Sequence, residues 1–448
     1  MANLTADEQR ISFSFSFSDF PEDVQFSVLS FLAPSELATF ACTSKRFLSL
    51  CRSDGKLWFA LCHRRWGSRT QIAKWGQGNV NYRRLYRTLN EYENLIGFWR
   101  RSGQGKNAAG AASPTLVFFE WGPSFVVGSR VFPSKTRTYQ VVKTPFLWLS
   151  VMPDGSPVSF LDPDCRSESA VDVVQSSEFS FRENELLAVN VYFMGKCHLV
   201  VEENINFAYS NSMEEKKFSF VEESGSPVRL PDPLMSEIYQ YFANRTSPGG
   251  DRVARRQRRR EKEKQGRRKW DPEHFVKVIN WSPTPSKPLQ GLWKGISDDM
   301  TLDFYLVAYD DIGGITCRRV GDSFSIYSPV FWTSNTTFIE APFSPEEEYL
   351  YENHIHLQQV AIADTILGRP PCMDSQVVSH ILYINSSYDL VIPDLVGATM
   401  NPRHVEGRIW RYRDGTFGFG FLRNNHITDL KPIAQDGCIL DTIDICSG

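Results

Sequence analysis

SFSDFPEDVQFSVLSFLAPSELATFACTSKRFLSLCRSDGKLWFALCHRRW, residues 16–66, decides how this chain is read. Three short amphipathic helices are written there, separated by turn residues. The first is predicted from Pro21 to about Leu32, with Val24, Val28, Leu29, Phe31 and Leu32 apolar. Pro21 suits the first helical position, where its missing N–H costs nothing. Glu22 and Asp23 follow in the first turn and complement the helix dipole. Pro34 stops this helix and Ser35 is placed to cap the next. That second helix carries Leu37, Phe40, Ala41, Phe47, Leu48 and Leu50. Asp54 is expected to cap a third, with Leu57, Trp58, Leu61 and Cys62 apolar. So small a bundle buries little core by itself, and apolar side chains left on its surface point to a binding partner.

The same residues resemble the F-box. The matching positions are Pro21, Asp23-Val24, Val28-Leu29-Ser30-Phe31-Leu32, Pro34-Ser35-Glu36-Leu37, Ser44-Lys45-Arg46-Phe47 and Leu57-Trp58. Phe20 stands where that family usually has Leu, and Thr43-Ser44 replaces a Val-Cys type of pair. The resemblance implies docking on the Skp adaptor, and through it on cullin, of a Skp–cullin–F-box ubiquitin ligase. On that reading Phe20, Pro21, Val24, Leu29, Leu32, Pro34, Leu37, Phe47 and Trp58 form or support the adaptor-facing helices.

Downstream the chain changes period. Tyr82, Leu85, Tyr86, Leu89 and Tyr92 recur at helical spacing and predict a connector helix over about 81–95. From Leu95 onward short strands follow, among them LVFFEW, SFVVGSRVF, PFLWLSVM, LLAVNVYF and CHLVVEE, divided by turn signals such as Pro153-Asp154-Gly155. Aromatics make up 13% of the 448 residues, with 32 Phe and 11 Trp, which favours a β-rich body. A helix is predicted at about 233–244, capped by Asp232, and a Pro- and Trp-rich stretch fills 270–288. Strands resume at Leu289 and end in the hairpin GRIWRYRDGTFGFGFL, turned by Asp414-Gly415. There Phe417, Phe419 and Phe421 share one face, and Gly418 and Gly420 share the other.

A six-residue frame repeats in this region. Leu95-Ile96-Gly97-Phe98-Trp99-Arg100 matches Leu289-Gln290-Gly291-Leu292-Trp293-Lys294, and Gly407-Arg408-Ile409-Trp410 is a looser third copy. A Gly-x-Trp on the first strand of a barrel lets Trp plug one end while Gly relieves crowding. In this order of features the chain resembles one branch of F-box-only proteins, with a C-terminal lipocalin-like barrel of the cyclin-D-binding type. The expected fold is α+β and multidomain: a small N-terminal three-helix F-box, then a large, mostly antiparallel β-barrel with an inserted helix and charged loop. The expected boundaries are 1–15 flexible N-terminus, 16–66 F-box, 67–94 helical connector, 95–231 first part of the barrel, 232–288 inserted helix and basic linker, 289–430 second part, and 431–448 tail.

Catalytic motifs are missing from the sequence: no His-Glu-x-x-His, no Gly-x-Ser-x-Gly, no phosphate-binding loop. His354 and His356 would share a strand face, but a metal needs three or four ligands, so neither metal nor cofactor is expected. No run of about 18 apolar residues is long enough to span a membrane. The nine Cys form no Cys-x-x-Cys pair and read as reduced thiols of the cytoplasm or nucleus. The run 252–269 holds 11 Lys/Arg and two Glu, a net +9 that leaves −12 on the rest of the chain. It has no interleaved aromatics for stacking bases, so it reads as a solvated insert or a nuclear import signal rather than a nucleic-acid site.

The sequence therefore supports a non-catalytic receptor subunit whose barrel selects a protein client. Arg408, Arg411 and Arg413, beside the terminal hairpin, are the candidate client-binding groups, against their reading as a charged edge that discourages aggregation. Trp99 and Trp293 are expected to fill the core. Two other readings stay open: a barrel that holds a small apolar ligand, and a nucleic-acid binder acting through the basic run.

Overall fold

The computed structural model describes residues 16–102, 116–134, 138–162, 186–204, 272–297, 300–320, 330–339, 344–352, 378–384, 386–387, 406–422 and 426–443. The expected helix at 233–244, the basic run 252–269 and the pair His354 and His356 lie outside them. The described chain forms two compact units: a helical one built from residues up to Glu93 with Trp121–Phe125 and Ser150–Pro157, and a β unit holding the remainder.

Five α-helices and a π-helical turn carry most of the helical unit. They are α1 (Glu22–Leu29), α2 (Pro34–Ala41), α3 (Lys45–Cys51), a π-helical turn (Asp54–Trp58), α4 (Phe59–Trp66) and α5 (Tyr82–Glu93). The expected second helix is thus two. Ser44 is extended at φ −157° and ψ 157° and starts α3 afresh, its Oγ accepting from the Phe47 N–H at 3.1 Å. Asp54 does cap a helix, but not the expected one: its carboxylate accepts from the N–H groups of Tyr82 at 2.8 Å and Arg83 at 2.9 Å, at the start of α5. The core gathers Phe26, Leu29, Leu37, Leu50, Leu57, Trp58 and Leu61. The connector is packed within this unit as well. Trp75 Nε1 donates to Thr70 Oγ1 at 2.9 Å, and Thr70 Oγ1 donates to the Gly122 carbonyl at 2.7 Å.

The β unit contains the expected antiparallel barrel region, in two sheets. The first runs β1 (Gly97–Ser102), β2 (Leu116–Trp121), β3 (Val126–Pro133), β4 (Val141–Val151), β5 (Pro157–Leu161), β6 (Leu187–Met194), β7 (His198–Glu203) and β8 (Glu273–Lys277). Each strand pairs with the next, and β8 returns to pair with β1 through Trp99 opposite Lys277. Eight strands therefore close into an up-and-down barrel, a size at which side chains fill the interior. Trp99, Phe119, Phe146 and Phe275 are among its buried aromatics.

The second sheet runs β9 (Gly291–Ile296), β10 (Leu302–Tyr309), β11 (Ile315–Val320), β12 (Val330–Ser334), β13 (Val378–Ile384), β14 (Ser386–Ser387), β15 (Gly407–Tyr412), β16 (Phe417–Phe421) and β17 (His426–Pro432). Its last strand pairs with its first, with Leu430 opposite Gly295. The far side closes too: Trp332 of β12 lies opposite Ser387 of β14, and Phe338 bridges to Leu382 of β13. A short helix, α6 (Pro345–Glu352), precedes β13. Short strands follow β17: β18 (Ala434–Gln435) pairs with β19 (Cys438–Ile439), and β20 (Thr442–Ile443) comes after them.

The interior of the second barrel is aromatic. Trp293, Tyr305, Trp332, Phe417, Phe419 and Phe421 are packed there with Ile409 and Leu430. The alternation of the hairpin does this: the three Phe turn inward, while Gly418 leaves room for Tyr412 Oη and the Asp429 carboxylate, each of which a Cβ would meet at 2.8 Å. A register shift between Cys317 and Arg318 marks a bulge opposite β12, where Phe331 and Trp332 both reach the Phe419 ring.

The repeated frame opens each barrel. Trp99 Nε1 donates to the Leu95 carbonyl at 2.6 Å, and Trp293 Nε1 donates to the Leu289 carbonyl at 3.0 Å. Both glycines sit at positive φ, +112° for Gly97 and +147° for Gly291, which other residues resist. One residue crowds both glycines: a Cβ on Gly97 would stand 3.0 Å from Trp281 Nε1, and one on Gly291 3.2 Å from the Trp281 backbone carbonyl. The third copy does not share this device, for Trp410 packs with Leu350, Tyr412 and Ile427. Between the barrels, Phe98, Phe118 and Val131 of the first meet Leu292, Ile296 and Phe304 of the second in one apolar cluster.

Candidate functional site

The first helix is apolar on two sides, and its two sides do different work. One side builds the core: Gln25, Phe26 and Leu29 are buried. Gln25 is held there because its Nε2 donates to the carbonyls of Phe17 at 3.0 Å and Phe20 at 2.8 Å. The opposite side is bare. Phe20 is 45% exposed, Val24 38%, Val28 49% and Phe31 72%. Their spacing of four, four and three residues is one stripe of a helix and its flanks. Exposed apolar side chains gathered like this mark an interaction face.

Aromatic packing fixes the ends of that stripe. Phe17 lies edge-on to Phe40 at 5.4 Å and to Phe47 at 5.7 Å, and Phe40 stacks on Phe47 at 4.5 Å. At the other end the Arg64 guanidinium covers the Phe31 ring at 4.5 Å. Ser16 closes a capping box with Asp19 just before α1, which sets the entry of the chain. Among ionisable groups, the Cys62 thiol is pushed up to about 12 by burial and, secondarily, by the nearby Asp54 carboxylate, so it is an inert core group rather than a nucleophile.

The nine adaptor-side residues expected from the sequence fall into three groups. Phe20, Pro21, Val24 and Pro34 are exposed, and Leu32 and Phe47 are half-buried. Leu29, Leu37 and Trp58 are inside the unit's own core. Val28 and Phe31 belong to the exposed stripe and were outside the expected set. Their signal was present in the sequence: an eight-residue helix with apolar residues on both faces has one face more than its own core can use.

The candidate client-binding arginines are placed unequally. Arg411 is half-buried and Arg413 exposed. Arg408 is 6% exposed and fully engaged. Its Nε pairs with the Glu347 carboxylate of α6, a second guanidinium nitrogen pairs with Glu406 at 2.8 Å, and the group lies over the Tyr383 ring at 4.6 Å. Burial alone would raise the Glu347 carboxyl, but the Ser344 N–H and the Arg408 guanidinium outweigh it and hold the group below the usual carboxylate range. Among the described residues no three His, Cys, Asp or Glu side chains converge as a metal site would require. No described helix is long and apolar enough to cross a membrane.

Comparison with known proteins agrees with the helical geometry. Residues 17–64 match the F-box-like family. Over 440 residues, covering 97% of this chain and 99% of the relative, the sequence is 48% identical to an F-box protein of Arabidopsis thaliana. Likeness of that extent takes in both barrels as well as the helices. This chain belongs to the F-box protein family.

Proposed function

We propose that the chain is the substrate-recognition subunit of a Skp–cullin–F-box ubiquitin ligase. The observation that carries this is the bare stripe Phe20, Val24, Val28 and Phe31 on an otherwise well-packed helical unit. Burying such side chains on a partner contributes about 1.5–3 kcal/mol each. The adaptor would cover the stripe, cullin would follow through the adaptor, and the barrels would present the client for ubiquitination and degradation. The chemistry then belongs to other subunits, and this chain needs no catalytic constellation. Work of this kind takes place in the cytoplasm or nucleus, where the free thiols of Cys42 and Cys438, both exposed, stay reduced.

Client selection is assigned to the barrel region, with Arg411 and Arg413 as the surface groups near the terminal hairpin. Buried Arg408 serves the fold in this reading. The small-molecule reading loses ground in the second barrel, whose interior is taken up by its own aromatic side chains. The lipocalin-like likeness stays part of the proposal for the first barrel, whose eight strands close in up-and-down order.

The test is co-expression with a Skp-type adaptor, measured by co-purification. Wild type is expected to form a stable complex, and a Val28→Asp, Phe31→Asp chain is expected to lose it while keeping its circular dichroism spectrum. If wild type fails to co-purify, the ligase reading is overturned.

A further inference from the structure

The last described strand does not belong to the sheet that precedes it. After β17 closes the second barrel, the chain crosses to the first and lays Thr442 and Ile443 alongside Val141 and Val142 of β4. The pairing is parallel, unlike the antiparallel β3–β4 ladder beside it, and spans two residue pairs. β4 is eleven residues long and β5 five, and β5 hands over at Asp162, whose N–H donates to the Phe146 carbonyl at 2.8 Å. The tail lines the stretch of β4 before that point.

Its hold is chemically specific. The Asp441 carbonyl accepts from the Val141 N–H of the first barrel at 2.8 Å, while the Asp441 carboxylate lies 2.8 Å from Lys294 Nζ of the second. Lys294 sits between Leu292 and Ile296 on the outer face of β9 and has no exposed surface. Its Nζ also donates to the Leu440 carbonyl at 3.0 Å. A buried ammonium without a counter-charge is strongly destabilising, so this position demands a carboxylate. Ile439, ahead of the acid, joins the apolar cluster between the barrels.

The hold is also weak for a built-in strand. Asp441 is in the left-handed region at φ +54°, a turn rather than an extended strand residue. Parallel pairing is the less stable kind, and the Asp441 side chain is 55% exposed. A slot that demands an acid and holds its occupant by only two parallel residue pairs is suited to exchange.

We propose that the β4 edge at Val141, with Lys294, is a strand-accepting slot for a peptide that presents an aspartate after aliphatic residues and pairs as a strand beyond it, and that Leu440–Ile443 is its intramolecular stand-in. That the incoming peptide would belong to a client rests on the receptor reading above. Binding would be strand addition, with backbone bonds giving affinity and the buried lysine giving specificity. The peptide and the tail compete for the same edge.

The experiment uses the full chain and a fluorescent peptide of the tail sequence QDGCILDTI, read by anisotropy without any adaptor present. In the Asp441→Lys chain a second lysine beside Lys294 expels the tail. That chain is expected to bind the peptide at least about tenfold more tightly than wild type, where the tethered tail competes. A peptide with Asn in place of its central Asp of ILDTI is expected to lose that gain. In wild type, the Val141 amide is expected to exchange its hydrogen about a hundredfold faster than Leu147 in the β3–β4 ladder. Absence of peptide binding, loss of the β-unit melting transition in the Asp441→Lys chain, or equal protection of Val141 and Leu147 would each make the tail a permanent strap and overturn the proposal. A tail-exchanged dimer in sedimentation would overturn it as well, since the slot would then serve a second copy. Adaptor co-purification is a separate measurement, so failure of the slot and failure of the receptor reading are told apart.

Discussion

Val24 and Leu29 are both apolar residues of one short helix, yet one is 38% exposed and the other 1%. Mutating them should therefore give opposite phenotypes. Val24→Asp is expected to leave the melting temperature of the helical unit within about 2–4 °C, since surface changes of this kind fall within about 0.5 kcal/mol. Adaptor affinity should drop by about tenfold or more, as one buried contact is replaced by a charge. Leu29→Ala is expected to cost about 2–5 kcal/mol of stability, read by chemical denaturation of the purified chain. A second residue-scale prediction concerns Glu347. It closes a capping box with Ser344 at the start of α6 and pairs with buried Arg408. Removing one partner of such a pair costs about 3–5 kcal/mol, so Glu347→Gln should destabilise the β unit by that order. The pH sign follows from the depressed carboxyl. The stabilisation is present in full above the unfolded Glu value of about 4.3 and is lost as pH falls through the lower folded value. Stability of wild type measured from pH 6 down to pH 2 should show that loss, and the Gln variant should not show it.

Single elements show how far local patterning reaches. The alternation Phe417, Phe419, Phe421 against Gly418, Gly420 turned out as read, because a two-residue period leaves no freedom once one face is buried. The first-strand frame was equally legible, and its two copies open two barrels. Trp99→Phe and Trp293→Phe should therefore act alike. Each keeps most of the ring and removes the Nε1 donor to a buried carbonyl, at a cost of about 1–3 kcal/mol. Equal losses in denaturant midpoints would support one shared device, whereas a large loss at only one site would separate them. Other local readings needed correction. The helix expected to carry both Leu37 and Leu50 breaks at Ser44, since a capping hydroxyl competes with helix propagation. Asp54 caps α5 instead of its own helix, a partnership 28 residues away that no local rule reveals.

At the scale of the molecule, the two barrels share an apolar seam in which Phe98 and Phe118 meet Leu292, Phe304 and Ile433. Neither sheet can lose that seam without exposing large hydrophobic side chains. The barrels are expected to melt in one cooperative transition, with calorimetric and van't Hoff enthalpies of the β unit in agreement. Phe304→Asp should lower the melting of both barrels together, followed by tryptophan fluorescence. Two separate transitions would refute the shared seam as a source of cooperativity.

The amino-acid sequence by itself determined the helical head, the antiparallel barrel class, the duplicated strand and the inward aromatic row. Each of these rests on periodicity, capping or turn chemistry within a few residues. Tertiary structure alone decided which apolar face of α1 stays bare, that Arg408 is spent on Glu347, and that Lys294 is buried against Asp441, 147 residues along the chain. The physical reason is common to all three. Exposure and pairing of a side chain depend on what is packed beside it in space, and a pattern in sequence records only the chain's own nearest turns.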